Sequence, residues 1–129
     1  MPADARTSAA TCLLGDAGYT VALSATGAGR SRWNGRAVTR WRMGGRGGEQ
    51  GGYVYVRDTA DRAAWAATPL PCGGAVGHWF DDAMARFARR DGVFTTTLEI
   101  VVDPDHPVEV RGVGIHNDGA VEREIELTS

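Results

Sequence analysis

The chain has 129 residues, 43% of them hydrophobic, with a formal net charge of −2. That is enough for one domain with its own core and too little for a two-domain enzyme, and the charge excludes a strongly basic nucleic-acid surface. All 14 basic residues are Arg, as a GC-rich coding sequence would give. No apolar run approaches the ~20 residues of a membrane helix, and the chain carries two Cys without metal-ligand spacing. Residues 1–11 are small and polar, and fraying is expected there.

From Cys12 onward period-two alternation dominates, the mark of half-buried strands. Tyr19, Val21 and Leu23 alternate with Thr20, Ala22 and Ser24. Gly27-Ala28-Gly29 then reads as a tight bend or bulge that needs Gly. As a phosphate loop it lacks a third Gly and a following Lys. Behind the bend, Trp33 and Trp41 fall among Arg30, Arg32, Arg40 and Arg42. Aromatic faces and forked guanidiniums suit a polyhydroxylated or anionic ligand. The same pattern also suits half-buried sandwich Trp side chains covered by Arg stems.

Residues 44–52 are too Gly-rich for regular structure and read as a mobile loop. Tyr53-Val54-Tyr55-Val56 is rich in strand formers and leads into Arg57-Asp58, which reads as a structural ion pair or turn cap. A short helix is conceivable near Thr59–Ala67. Trp65 and Trp79 read as core, and Phe87 with Arg89-Arg90 as one face of a hairpin and its solvated edge. That hairpin runs from Met84 to Arg90, turns at Asp91-Gly92 in type I′ geometry, and returns from Val93 to Val102. Its second arm places Phe94, Thr96, Leu98, Ile100 and Val102 on one face. Breakers follow at 103–107 and at Asn117-Asp118-Gly119. Strands are expected over Val108–His116 and Val121–Thr128. The fold class is all-β, an antiparallel β-sandwich over 12–129 with Gly-rich loops.

Carboxylates are numerous but scattered, mostly at turns or strand ends. Asp81-Asp82 is the one adjacent pair, and strand neighbours point apart, so they do not make a shared proton site. His78, His106 and His116 accompany no recognisable nucleophile motif. No catalytic residue, metal or cofactor is therefore expected in the chain itself, and both Cys are expected to be free, buried thiols in a reducing compartment.

These blocks also resemble a known family in order and spacing. Leu13-Leu14, Gly18-Tyr19-Thr20-Val21, Gly27-Ala28-Gly29, Ser31-Arg32-Trp33, Ala37 to Arg42, Tyr53 to Asp58, Trp65, Pro69-Leu70-Pro71, Arg89 to Gly92, Glu99-Ile100, Val108-Glu109-Val110, Asn117 and 123–129 resemble the N-terminal β-sandwich domain of glycoside hydrolase family 94, the former glycosyltransferase family 36. Within the group the chain is similar to cyclic β-1,2-glucan synthases and β-glucan phosphorylases. The block at 43–48 departs from the acidic residues that often stand there in the family. The resemblance favours a turn and a strand, not a helix, near Thr59–Ala67. It implies a C-terminally truncated module that lacks the catalytic (α/α)6 barrel. Such a module would support the barrel, help form a dimer and narrow the substrate entrance. Arg32, Trp33, Arg40, Trp41 and Arg42 are then candidates for a sugar-contacting or barrel-facing rim, with Gly27, Gly29, Arg57 and Asp58 as structural motif residues. The implied partners are a β-linked glucan or the barrel of a parent or partner chain, and a second copy through an open sheet edge. Cytoplasmic location is expected, with no membrane contact by this segment. A free-standing carbohydrate-binding module, an enzyme in its own right and a purely oligomerising domain are the competing readings.

Overall fold

The computed structural model describes residues 11–16, 18–39 and 51–129. Among the described residues eleven strands form three antiparallel sheets. β1 (Thr11–Gly15), β2 (Tyr19–Ser24), β3 (Gly29–Trp33) and β4 (Arg36–Ala37) pair in that order. β7 (Val76–Phe80), β8 (Met84–Asp91), β9 (Phe94–Val102) and β10 (Glu109–Asn117) form a meander. The third sheet has β5 (Tyr55–Asp58) at its centre, between β6 (Ala64–Ala66) and β11 (Ile125–Thr128). The described residues contain no helix, and residues 59–67 form a turn and a strand, as the family resemblance favours.

The meander supplies one layer, and the two other sheets cover different parts of its inner face. Leu14, Val21 and Leu23 pack with Ala85, Phe87, Leu98 and Ile100 in the larger cluster. Val56 and Trp65 pack with Phe94 in the smaller one, where the Trp65 and Phe94 rings stand 5.4 Å apart. The alternation on β9 emerges as expected: Phe94, Thr96, Leu98 and Ile100 are buried on the face shared with Val102. Opposite them on β8 the inward residues are Ala85, Phe87 and Arg89. Buried Thr96 is not left unpaired, because Trp65 Nε1 donates to its hydroxyl at 3.0 Å.

Five expectations shift. The β8–β9 turn lies one residue later, because Asp91 pairs with Phe94 and so belongs to the strand. Gly92, with φ +57°, is the first central residue and Val93 the second, the residue order of a type II′ turn. This register sets Phe87 against Leu98 and Ala85 against Ile100. Arg89 is buried instead of solvated (8% exposed). Trp65 is core, but Trp79 is 58% exposed, because alternation on β7 sends His78 and Phe80 inward and Trp79 out. Of the two free thiols, Cys12 is buried and Cys72 exposed. Thr11, expected to fray, pairs with Ser24; residues 1–10 lie outside the described residues. Residues 44–50 of the Gly-rich loop lie outside them as well.

Candidate functional site

Tyr19 and Trp33 face each other across β2 and β3, at the end of the first sheet. Trp33 shares a face with buried Ser31, the face that covers the core, but it lies at the strand's end and is 49% exposed. Opposite it the β9–β10 loop, residues 103–107, overhangs the same end. Together with Asp16 and Gly18 they enclose an open cleft of about 220 Å³, lined by Tyr19, Trp33, Asp103, Pro104, Asp105, His106 and Pro107. That is below the ~300–1,000 Å³ of ordinary small-molecule pockets, so it suits a single ring better than an extended ligand.

The cleft's polar wall is ordered. Asp103 Oδ1 accepts the backbone N–H groups of Asp105 at 2.8 Å and His106 at 3.0 Å, and lies 3.1 Å from His106 Nδ1. The Asp105 N–H and the His106 contacts hold the Asp103 carboxyl below the usual range. His106 Nε2 takes no part in that contact. Asp16 caps the β1–β2 turn, accepting from Gly18 N at 2.8 Å. An indole face beside fixed carboxylates and an imidazole is suited to hold a ring that is apolar on one side and hydroxylated at its rim.

Behind the cleft a polar network joins the two layers. Glu109 Oε2 accepts hydrogen bonds from the Tyr19 hydroxyl at 3.0 Å and from the Ser31 hydroxyl, while Oε1 accepts from Arg111 Nε at 2.8 Å. Arg111 also donates to the Gly52 carbonyl at 2.6 Å. Burial alone would raise the Glu109 carboxyl. The hydrogen bonds from Ser31, Arg111 and Tyr19, with the Arg111 charge, more than offset it and hold it below the usual range. Burial and the neighbouring Glu109 raise the Tyr19 phenol, against a lowering contribution from Ser31.

The two described members of the sequence-derived rim point apart. Arg32 and Trp33 are strand neighbours and point to opposite faces; Arg32 donates to the Gly35 carbonyl at 2.7 Å. Arg40, Trp41 and Arg42 lie outside the described residues. Gly27 has φ +89°, and a Cβ there would stand 2.3 Å from Thr68 Cβ. A Cβ on Gly29 would stand 2.3 Å from the Ala22 carbonyl oxygen, so both bend residues sit where only Gly fits. Arg57 reaches Glu126 across the sheet at 3.4 Å, whereas buried Asp58 accepts from Ala60 N at 3.0 Å and pairs with Arg123 at 3.3 Å. Asp58 is thus the turn cap, and each member of the dipeptide has its own ion-pair partner. Asp81 likewise caps the β7–β8 turn, accepting from Ala83 N and Met84 N, both at 2.7 Å. Among the described residues no cluster of His, Cys, Asp or Glu is placed to hold a metal ion.

Sequence reasoning missed Glu109 and Arg89 as structural centres. Arg89 forms a bidentate pair with Asp91 at 2.6 and 2.7 Å and donates through Nη1 to the Ala66 and Gly73 carbonyls at 2.8 and 3.0 Å. The usable signal was the i, i+2 spacing of opposite charges on one strand face, Arg89 with Asp91 and Glu109 with Arg111.

Fold and cleft together define an antiparallel β-sandwich domain with an aromatic and carboxylate-lined cleft at the end of its layers. The chain belongs to the glycosyl hydrolase 94 supersandwich-domain family, whose model matches residues 3–129. It is 38% identical over 122 residues to the cyclic beta-(1,2)-glucan synthase NdvB of Rhizobium meliloti (strain 1021), an alignment covering 92% of this chain and 4% of that protein. The chain therefore spans a small part of its relative's length, and the expected family is borne out. No helix among the described residues is long and apolar enough to cross a membrane.

Proposed function

We propose that this chain is a non-catalytic β-sandwich module of a carbohydrate-active enzyme of the β-glucan phosphorylase or cyclic β-1,2-glucan synthase type. It supports a catalytic barrel and narrows the substrate entrance, with the Tyr19–Trp33 cleft at that entrance. The observation that carries this reading is how the sheltered carboxylates are used. Asp58 is engaged by Arg123 and Ala60 N, Asp91 by Arg89, and Glu109 by Tyr19, Ser31 and Arg111. Protonating a leaving glycosidic oxygen needs a carboxylic acid with a raised pKa and an open approach. These carboxylates instead have their approach closed by structural partners, which suits a scaffold.

A second reading, a carbohydrate-binding module in its own right, is favoured by half-exposed Trp33 beside the ordered polar wall of the cleft. Self-association through an open edge is part of the proposal. Among the described residues β11 is an edge strand, and Leu127, in the cross-strand row of buried Val56 and Trp65, is 54% exposed. Such an edge offers both unpaired backbone groups and apolar surface. The free state of Cys12 and Cys72 suits the reducing cytoplasm.

A two-dimensional amide NMR spectrum titrated with β-1,2-linked gluco-oligosaccharides tests the cleft. Shifts at Gly18, Tyr19, His106 and the Trp33 indole are expected if the entrance touches sugar. A dispersed spectrum unmoved at these residues removes sugar contact from the cleft and leaves support of the barrel as its role.

A further inference from the structure

The outer face of the β7–β10 sheet carries an aromatic surface separate from the Trp33 cleft. Register places Trp79, Arg86, Glu99 and Gly112 in one row across the four strands, and Gly77, Ala88, Thr97 and Gly114 in the next row but one along the strands on the same face. Trp79 is more than half exposed, an unusual fate for the largest side chain. Its indole lies down along its own strand: a Cβ on residue 77 would stand 3.2 Å from Trp79 Cη2, tight enough that a side chain there would press the ring aside. Arg86 Cζ lies 5.8 Å from the ring centroid, within cation–π range, and Arg86 Nε is 3.7 Å from Glu99 Oε1.

We propose that this face binds an uncharged oligosaccharide, with one pyranose ring stacked on Trp79 and hydroxyls bonded by Arg86, Glu99 and Thr97. The half-exposed Arg86 and Glu99 charges balance, so the row offers forked donors and acceptors without attracting an ion of either sign. That complements a neutral polyol and disfavours a polyanion, which needs unpaired cations. The Gly and Ala residues beside the indole leave the sheet bare there, with Arg86 and Thr97 the side chains that a flat ring would meet. A protein interface core, by contrast, is depleted of charge, and here a charged pair sits beside the indole. The choice of a glucan as ligand rests on the carbohydrate reading above; the location does not.

The test is NMR titration of the full chain with a β-1,2-linked gluco-oligosaccharide, on wild type, Trp79→Ala, Gly77→Val and Trp33→Ala. Saturable shifts are expected at Gly77, Ala88, Gly114 and the Trp79 indole. Trp79→Ala is expected to weaken that event about tenfold or more, the order of one lost aromatic contact. Gly77→Val keeps the indole but displaces it, and is expected to weaken binding too, while Trp33→Ala leaves it intact. Shifts confined to the Tyr19–Trp33 cleft would overturn this site alone, whereas no shift anywhere would count against sugar contact by the chain at both sites. A sugar-insensitive dimer that buries Trp79 would also overturn it, in favour of a protein contact.

Discussion

Arg89 and Asp91 lie two residues apart on β8 and close a bidentate ion pair, with Nε to Oδ2 at 2.6 Å and Nη2 to Oδ1 at 2.7 Å. The same guanidinium donates to carbonyls of Ala66 and Gly73, so one side chain ties the meander to the end of β6 and to the segment after it. Removing it strands a sheltered carboxylate and at least two carbonyl acceptors. Arg89→Ala is expected to lower stability by about 3–5 kcal/mol, the range for breaking a buried pair. Arg89→Lys should recover only part, because an ammonium cannot reproduce the planar fork. Urea unfolding of the three proteins measures this; an unchanged midpoint for Arg89→Ala would remove the clamp from the account.

Glu109 gives the chain a specific pH dependence. Its carboxyl is held below the usual range when folded, chiefly by Ser31, Arg111 and Tyr19 acting against burial. A depressed folded pKa means that the unfolded chain binds the proton more readily. The contribution is therefore complete above the unfolded value of about 4.3, and it is lost as pH falls through the lower folded value. Glu109→Gln is expected to cost on the order of 1–2 kcal/mol at neutral pH, as for hydrogen bonds to a charged group. The gap between the two proteins should narrow below about pH 4. A gap independent of pH would show that the Glu109 charge does not hold the layers together.

The Gly27 bend tolerates no side chain. Its φ of +89° and the 2.3 Å approach of Thr68 Cβ to any added Cβ act together. Gly27→Ala is expected to destabilise by about 2–4 kcal/mol, combining left-handed strain with overpacking. Thermal unfolding would register this, and Gly35→Ala is the contrast: its φ is +76°, but nothing lies within 4 Å of an added Cβ. If the two substitutions cost the same, the Thr68 contact contributes nothing.

Much of this was legible in the residues. Alternation gave the meander its inner face, down to Phe94, Thr96, Leu98 and Ile100, because a strand packed on one side must repeat every two residues. The same rule, applied to Arg32-Trp33, separates them onto opposite faces, and applied to β7 it turns Trp79 outward once Phe80 is placed in the core. Composition could not show this, since a Trp reads as core until its parity is fixed by its neighbours. Arg89 and Glu109 were harder still. Their burial depends on partners 16 to 90 residues away, on carbonyls of Ala66 and Gly73 and hydroxyls of Tyr19 and Ser31, which no local pattern brings together.

The exposed row end on β11 carries its own expectation. Leu127→Lys should reduce self-association at micromolar concentrations in sedimentation, since a charge on an edge strand opposes pairing. A wild-type chain that stays monomeric at high micromolar concentration would argue against the open-edge dimer.

The measurement that tests the central claim most directly is a turnover assay. The purified chain would be incubated with β-1,2-linked gluco-oligosaccharides, with and without inorganic phosphate, and released glucose and glucose phosphate followed. The account predicts a folded protein with no turnover above the blank. Turnover of the oligosaccharide that disappears on substitution of a single Asp or Glu would contradict it.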